Sequence, residues 1–157
     1  MNTNLTSRID GNRLIITRLL HAPRERVFEA WINPAQIIHW WGPDGFTNTI
    51  LEMDVRPGGV WRFIMHGPDG VDYPNKIVYQ TVDHPAHLHY LHSDDVPDSS
   101  TQFEVDVRFI DKGENTELQM VMQFATAEAL QQVVEQYGAL EGAKQTTGRL
   151  AEFVERV

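Results

Sequence analysis

The stretches QFEVDVRFI at residues 102–110 and ELQMVMQF at residues 117–124 decide the fold of this chain. In both, apolar and polar side chains alternate almost without interruption. A period of two with one polar face is typical of antiparallel strands that are wet on one side. Residues 111–115 lie between them and predict a hairpin. The apolar face of such a sheet must be covered by another element.

The C-terminal part of the chain is the only predicted element long enough to provide that cover. Thr126 can cap a helix that begins there, and we expect a bend near Gly138. Apolar or small residues recur at helical spacing on both sides of that glycine. They are Leu130, Val133, Val134 and Tyr137, followed by Leu140, Ala143, Thr147, Leu150 and Val154.

The remaining elements follow from turn and cap residues. A strand at residues 13–20 precedes Pro23, which predicts a helix from about Arg24 to Ile32. Asn33 and Pro34 begin a second short helix, which carries Trp40 and Trp41. Further strands are predicted at residues 47–55, 61–65, 75–83 and 87–92, with a loop at residues 93–101. Residues 1–157 therefore predict one α+β domain. A curved antiparallel sheet of about seven strands wraps a long C-terminal helix, with two short helices after the first strand.

Composition limits the classes of partner. The chain has 157 residues, no cysteine and a net charge of −9. An acidic surface argues against nucleic-acid binding, and the first twenty residues lack the apolar run of a signal peptide or membrane span. We expect a cytoplasmic protein without membrane insertion.

Two groups of charged or ionisable side chains are explained by structural roles. The turn at Pro57, Gly58 and Gly59 predicts that Asp54 lies opposite Arg62 as a cross-strand ion pair. Four histidines, His84, His87, His89 and His92, fall close together. Alternation places His87 and His89 on one face and His92 on the other, so that no metal site is expected. His87 and His89 are expected to be solvated. No nucleophile or cofactor motif occurs, and we predict neither a cofactor nor a catalytic residue.

The aromatic and methionine side chains predict where a ligand would bind. Methionine suits adaptable surfaces, and glycines in the last helix leave volume above the sheet. A filled core is the alternative. The predicted ligand-binding residues are Trp31, Trp40, Trp41, Trp61, Phe63, Met65, Tyr79, Tyr90, Phe103, Val105, Met120, Met122, Phe124, Tyr137, Ala143 and Thr147.

Several motifs resemble the START-like, or helix-grip, superfamily, and within it the homologues of the activator of heat-shock-protein-90 ATPase. The motifs are Trp40-Trp41-Gly42-Pro43, Met53-Asp54-Val55-Arg56-Pro57-Gly58-Gly59, Trp61-Arg62-Phe63 and, in the last helix, Gly138, Glu141-Gly142 and Arg149-Leu150. The resemblance implies a helix-grip fold with a cavity between sheet and helix. Relatives usually carry tryptophan where Ala143 stands, which implies more room here.

Three functions remain open at this point. The first is binding of an apolar or amphipathic small molecule such as a lipid, without catalysis. The second is a cyclase, dehydratase or lyase, for which Arg18, Tyr79, Tyr90 and His92 are the ionisable candidates. The third, implied by the resemblance, is a chaperone co-factor in the stress response. A homodimer is compatible with all three.

Overall fold

Eight antiparallel strands form one sheet in the computed structural model, which describes residues 5–96 and 102–156. The strand order across the sheet is β1-β2-β8-β7-β6-β5-β4-β3. The strands are β1 (Leu5–Asp10), β2 (Arg13–Leu20), β3 (Thr47–Met53), β4 (Val60–His66), β5 (Asp72–Asp83), β6 (His87–Asp94), β7 (Phe103–Lys112) and β8 (Asn115–Gln123). The helices are α1 (Arg24–Ile32), α2 (Pro34–Ile37), α3 (Ala127–Tyr137) and α4 (Ala139–Glu155).

The helix boundaries lie at the residues that the sequence indicates. Pro23 precedes α1, and the side chain of Asn33 accepts a hydrogen bond from the Ala35 amide at 2.9 Å. Thr126 caps α3 in the same way, through the Ala129 amide at 3.0 Å. Gly138 adopts a left-handed conformation with φ 62°, which ends α3 and begins α4. The predicted bend is therefore confirmed, and the cover of the sheet consists of two helices. The second short helix ends earlier than predicted, at Ile37, so Trp40 and Trp41 lie in the following turn.

A buried arginine explains why the first predicted strand does not alternate cleanly. Leu14, Ile16 and Leu20 face the core, and Arg18 occupies the inward position between Ile16 and Leu20. Its Nε donates to the hydroxyl of Thr147 at 3.1 Å and its Nη2 donates to the carbonyl of Lys144 at 3.3 Å. Burial lowers the pKa of Arg18, and the nearby Glu155 raises it. The guanidinium therefore links the sheet to α4.

The sequence predicted about seven strands, and the sheet has eight. The additional strand, β1, pairs with β2 from Leu5↔Arg18 to Asp10↔Arg13, across a tight turn in which Gly11 has φ 61°. It is an edge strand, and most of its residues are exposed. Because an edge strand needs no apolar face, its sequence lacks the alternation that reveals a strand.

The prediction that Asp54 pairs with Arg62 was wrong. A register shift between Ile50 and Glu52 places Glu52 opposite Arg62. Asp54 instead accepts a hydrogen bond from Arg56 at 2.7 Å, and Arg62 donates to Asp95 at 2.7 Å. The same irregularity breaks the predicted alternation of β3, since Asn48 is buried and Leu51 is 50% exposed.

The histidines on the outer face of β6 are paired, where solvated side chains were predicted. His87 Nε2 lies 2.9 Å from Asp106, and His89 Nε2 lies 3.4 Å from Glu104. Of the predicted loop at residues 93–101, Ser93 and Asp94 extend β6, and residues 97–101 lie outside the described residues. No helix in the described part of the chain is long and apolar enough to cross a membrane.

We predict that Gly59→Ala destabilises the protein more than Gly58→Ala. A Cβ atom at Gly59 would overlap the carbonyl oxygen of Asp54. At Gly58 the space is open, and the cost comes from φ 82° alone. We expect losses in the free energy of unfolding of about 3 kcal/mol and about 1–2 kcal/mol, respectively. Urea denaturation measures both values, and equal losses would contradict the steric explanation.

Candidate functional site

A cavity of about 200 Å³ lies between the inner face of the sheet and the start of α4. The sheet side is formed by β4, β6, β7 and β8, and the other side by the α3–α4 junction. Trp31 and the turn after α2 close one end. The lining residues are Trp31, Trp41, Gly42, Pro43, Met65, Tyr90, His92, Phe103, Val105, Met120, Met122, Gly138, Ala139, Gly142, Ala143, Thr146 and Thr147.

Ten of the residues predicted for ligand binding line this cavity. They are Trp31, Trp41, Met65, Tyr90, Phe103, Val105, Met120, Met122, Ala143 and Thr147. The side chain of Tyr137 lies outside the described part of the structure.

The other five predicted residues do not line the cavity but lie beside lining residues. Each packs its ring on the ring of a lining residue: Trp40 on Trp31 at 5.0 Å, Trp61 on Trp41 at 4.9 Å, Phe63 on Trp41 at 6.0 Å, Tyr79 on Tyr90 at 6.2 Å and Phe124 on Phe103 at 4.7 Å between centroids. Aromatic pairs of this kind prefer defined geometries. These rings therefore fix the orientation of the cavity wall.

Arg149 on α4 holds the turn that carries Trp41. Its Nη1 donates to the carbonyls of Gly42 and Pro43 at 2.8 and 3.0 Å, and its Nη2 donates to the carbonyl of His39 at 3.2 Å. The buried Asn48 adds a bond of 2.9 Å to the carbonyl of Trp41. These hydrogen bonds satisfy backbone carbonyls of a non-helical segment. They also fix the position of one rim of the cavity.

Small residues on α4 leave the cavity open. The residues that face the methionines of β8 are Gly142, Ala143, Thr146 and Thr147. Both threonine hydroxyls donate to carbonyls of their own helix, Thr146 to Gly142 at 2.8 Å and Thr147 to Ala143 at 3.0 Å. Because these hydroxyls are satisfied, this wall needs no polar partner from a ligand.

Two buried polar atoms of lining side chains lack a hydrogen-bond partner among the described residues. They are Nε1 of Trp31 and the hydroxyl oxygen of Tyr90. Burial raises the pKa of the Tyr90 phenol, and the neighbouring Tyr79 raises it further, so that the group stays protonated. An unpaired buried donor of this kind carries a desolvation cost that a ligand acceptor would remove.

His92 lines the cavity, although the sequence analysis named it only as an ionisable candidate for catalysis and left it out of the ligand-binding set. Its Nε2 lies 2.9 Å from Oδ1 of Asn75, whose Nδ2 donates to the carbonyl of Tyr73 at 2.8 Å. Since that second bond assigns the amide, Oδ1 must accept and Nε2 must carry the proton. Burial lowers the pKa of His92 to about 4, and Asp94 raises it slightly, so the ring is neutral near pH 7. Its Nδ1 is therefore a bare acceptor. Alternation had already placed His92 on the same face as Tyr90.

Among the described lining residues, Tyr90 and His92 are the side chains that can titrate. None of the described lining residues is Asp, Glu, Lys or Arg. The described residues also contain no cluster of three or more His, Asp or Glu side chains that could hold a metal. Of the four ionisable candidates, only Tyr90 and His92 line the cavity, whereas Arg18 is bonded to α4 and Tyr79 lies beside Tyr90 on the neighbouring strand.

A second, larger groove of about 410 Å³ lies beside α4. Its lining includes Arg18, Asp44, Arg149, Glu152 and Glu155. Both arginines are already occupied by the hydrogen bonds that attach α4 to β2 and to the Trp41 turn. The groove is lined mostly by polar and charged side chains, so the smaller apolar cavity is the better candidate for an apolar ligand.

Comparisons with known proteins agree with this geometry. Residues 21–155 match the family described as "Activator of Hsp90 ATPase homolog 1-like protein". A search of curated proteins finds no significant match. Protein Ms6760 from Mycobacterium smegmatis has a similar structure, with 30% identity, a TM-score of 0.83 and coverage of 96% of this chain and 95% of that one.

Two further solved structures share the fold. One is a protein from Arthrobacter aurescens, with 21% identity, a TM-score of 0.89 and coverage of 97% and 92% of the two chains. The other is a protein from Silicibacter pomeroyi described as AHSA1, with 18% identity, a TM-score of 0.73 and coverage of 89% and 95%. At this identity the likeness supports the α+β helix-grip architecture alone.

We predict that the imidazole of His92 titrates near pH 4. Because this pKa lies below the unfolded value of about 6.5, the neutral ring stabilises the folded state fully above about pH 6.5, and the effect is lost as the pH falls towards 4. NMR titration of the ring nitrogens measures the pKa. His92→Phe should remove this part of the pH dependence of unfolding, whereas His89→Phe on the outer face should keep it. Titration of His92 near pH 6.5 would contradict the buried environment.

Proposed function

Because the chain belongs to the family of activator of Hsp90 ATPase homolog 1-like proteins, whose fold is suited to holding ligands, we propose that it binds an apolar small molecule in the cavity between sheet and α4. The observation that carries this proposal is an apolar space between sheet and α4 with no charged side chain among its described lining residues. Ten of the residues that the sequence predicts for ligand binding line the same cavity, which supports this location.

The size of the cavity limits the ligand. Ligand pockets typically measure about 300–1,000 Å³, and this one is about 200 Å³. A molecule with one or two rings therefore fits better than a long-chain lipid. The methionine side chains of β8 can adapt to ligands of different outline.

An enzyme acting on an apolar substrate is the second candidate, since Tyr90 and His92 line the cavity. Efficient general acids and bases have pKa values near the working pH. Burial moves both groups away from that range, upward for Tyr90 and downward to about 4 for His92. Binding without catalysis therefore agrees better with the described side chains.

The family description favours a third candidate, contact with an Hsp90-type chaperone. An increase in the ATPase rate of the chaperone on addition of this protein would support it. For all three candidate functions we propose a cytoplasmic location, which agrees with a chain that contains no cysteine. A homodimer and a role in the stress response stay predictions.

The proposed binding is tested by NMR with indane, an uncharged two-ring hydrocarbon. Backbone amide resonances should shift on β8 and at the α3–α4 junction, and the shifts should saturate. Shifts confined to the exposed face of the sheet, or no shifts at all, would refute the proposal.

We predict that Ala143→Trp weakens indane binding at least tenfold. Ala143 lines the cavity on α4, so an indole at this position would occupy the ligand's space. The dissociation constant from the same NMR titration measures the loss.

Glu141→Trp is the matched control for this substitution. Glu141 is exposed on the same helix and does not line the cavity, so the same ring should leave the affinity unchanged. Equal affinities of the Ala143→Trp and wild-type proteins would show that the ligand binds elsewhere.

A further inference from the structure

Two polar side chains of β6 share the cavity face of the sheet. Tyr90 and His92 are two residues apart and both line the cavity. Alternate residues of a strand lie on the same face of the sheet with their Cα atoms roughly 7 Å apart, so one ligand in the cavity can contact both side chains.

The acceptor of this pair is fixed from outside the cavity. Asn75 on β5 holds the proton of His92 on Nε2, which leaves Nδ1 unprotonated. In residues 5–96 and 102–156 the side-chain hydrogen bond of His92 uses Nε2, which leaves Nδ1 to the cavity that the ring lines. A ligand that satisfies it must carry a hydrogen-bond donor.

The donor of the pair is Tyr90. Its buried hydroxyl lacks a partner among the described residues, and a protonated phenol can donate as well as accept. A hydroxyl group on the ligand can meet both needs at once, because it donates through its proton and accepts through its oxygen.

The charge of the ligand is limited by the same lining. An ionised carboxylate or ammonium group would lose its hydration here without meeting an opposite charge among the described lining residues. The ligand group that approaches β6 is therefore neutral.

We propose that the ligand is an uncharged alcohol or phenol whose hydroxyl donates a hydrogen bond to Nδ1 of His92 and accepts one from Tyr90. This inference rests on the proposed function and adds the chemical class of the ligand. It also explains why a polar pair stands in an otherwise apolar wall.

Three probes of the same ring skeleton test the proposal: indane, 1-indanone and 1-indanol. The hydrocarbon has no polar group, the ketone only accepts, and the alcohol both donates and accepts. We expect the dissociation constant of 1-indanol to be about tenfold lower than that of indane, because its hydroxyl gains two modest hydrogen bonds in the cavity. The ketone, which cannot donate to Nδ1, should bind less tightly than the alcohol.

The outcomes separate this inference from the proposed function. Equal binding of all three probes would leave the proposed function standing and overturn the hydroxyl inference. Equal binding of the ketone and the alcohol would also overturn it, since His92 would then contribute nothing. If no probe binds, both proposals fail.

The substitution His92→Phe tests the acceptor directly. The ratio of the dissociation constants of indane and 1-indanol should fall from about ten to about three, because the alcohol then keeps only the bond that Tyr90 donates. Tyr90→Phe should reduce the ratio by about the same factor, because only the bond to Nδ1 of His92 then remains. His89→Phe, on the opposite face of the same strand, should retain the wild-type ratio. A preserved ratio in His92→Phe would refute the assignment.

A measurement on the wild-type protein covers the case in which His92→Phe does not fold. The ¹⁵N resonance of the unprotonated Nδ1 should shift when 1-indanol is added and stay in place when indane is added. An unchanged Nδ1 resonance at saturation with 1-indanol would overturn the proposal.

Discussion

This structure is governed by the need to shield the inner face of the sheet from water. The helix that covers this face, α4, has side chains too small to fill the space above it. The strands supply large side chains, among them Trp61, Phe63 and Phe109, which pack completely. Opposite β8, however, α4 contributes glycine, alanine and threonine. A core normally closes such a gap because an unfilled cavity reduces stability. Here the gap persists, and the proposed binding site lies in it.

Two arginines fix the position of α4 relative to the elements around the cavity. Arg18 attaches α4 to β2 through Thr147 and the carbonyl of Lys144. Arg149 attaches the same helix to the Trp41 turn through a set of backbone carbonyls. Aromatic rings beside the cavity pack against the rings of the lining side chains. Helix, sheet and turn are thus held at fixed separations by polar bonds, while the space between them stays apolar.

The sequence predicted those parts of the molecule that depend on local rules. Alternation identified β7 and β8, and the cap residues Asn33, Thr126 and Gly138 gave the helix boundaries. The rest depends on partners that no local pattern contains. The edge strand β1 exists because β2 offers a place to pair, and the bulge in β3 decides which acid meets Arg62. Alternation placed His92 on the inner face, but only its bond to Asn75 shows which nitrogen remains available.

Asn75 lies on β5 and does not line the cavity, yet its amide decides whether the imidazole of His92 offers a lone pair or a proton to that space. A residue that donated from this position would reverse the polarity of the ring without a substitution at any residue of the cavity lining. Among relatives with identical cavity linings, ligand preference could therefore differ according to the residue at this one remote position. Specificity in this fold is best compared across strand neighbours as well as across contact residues.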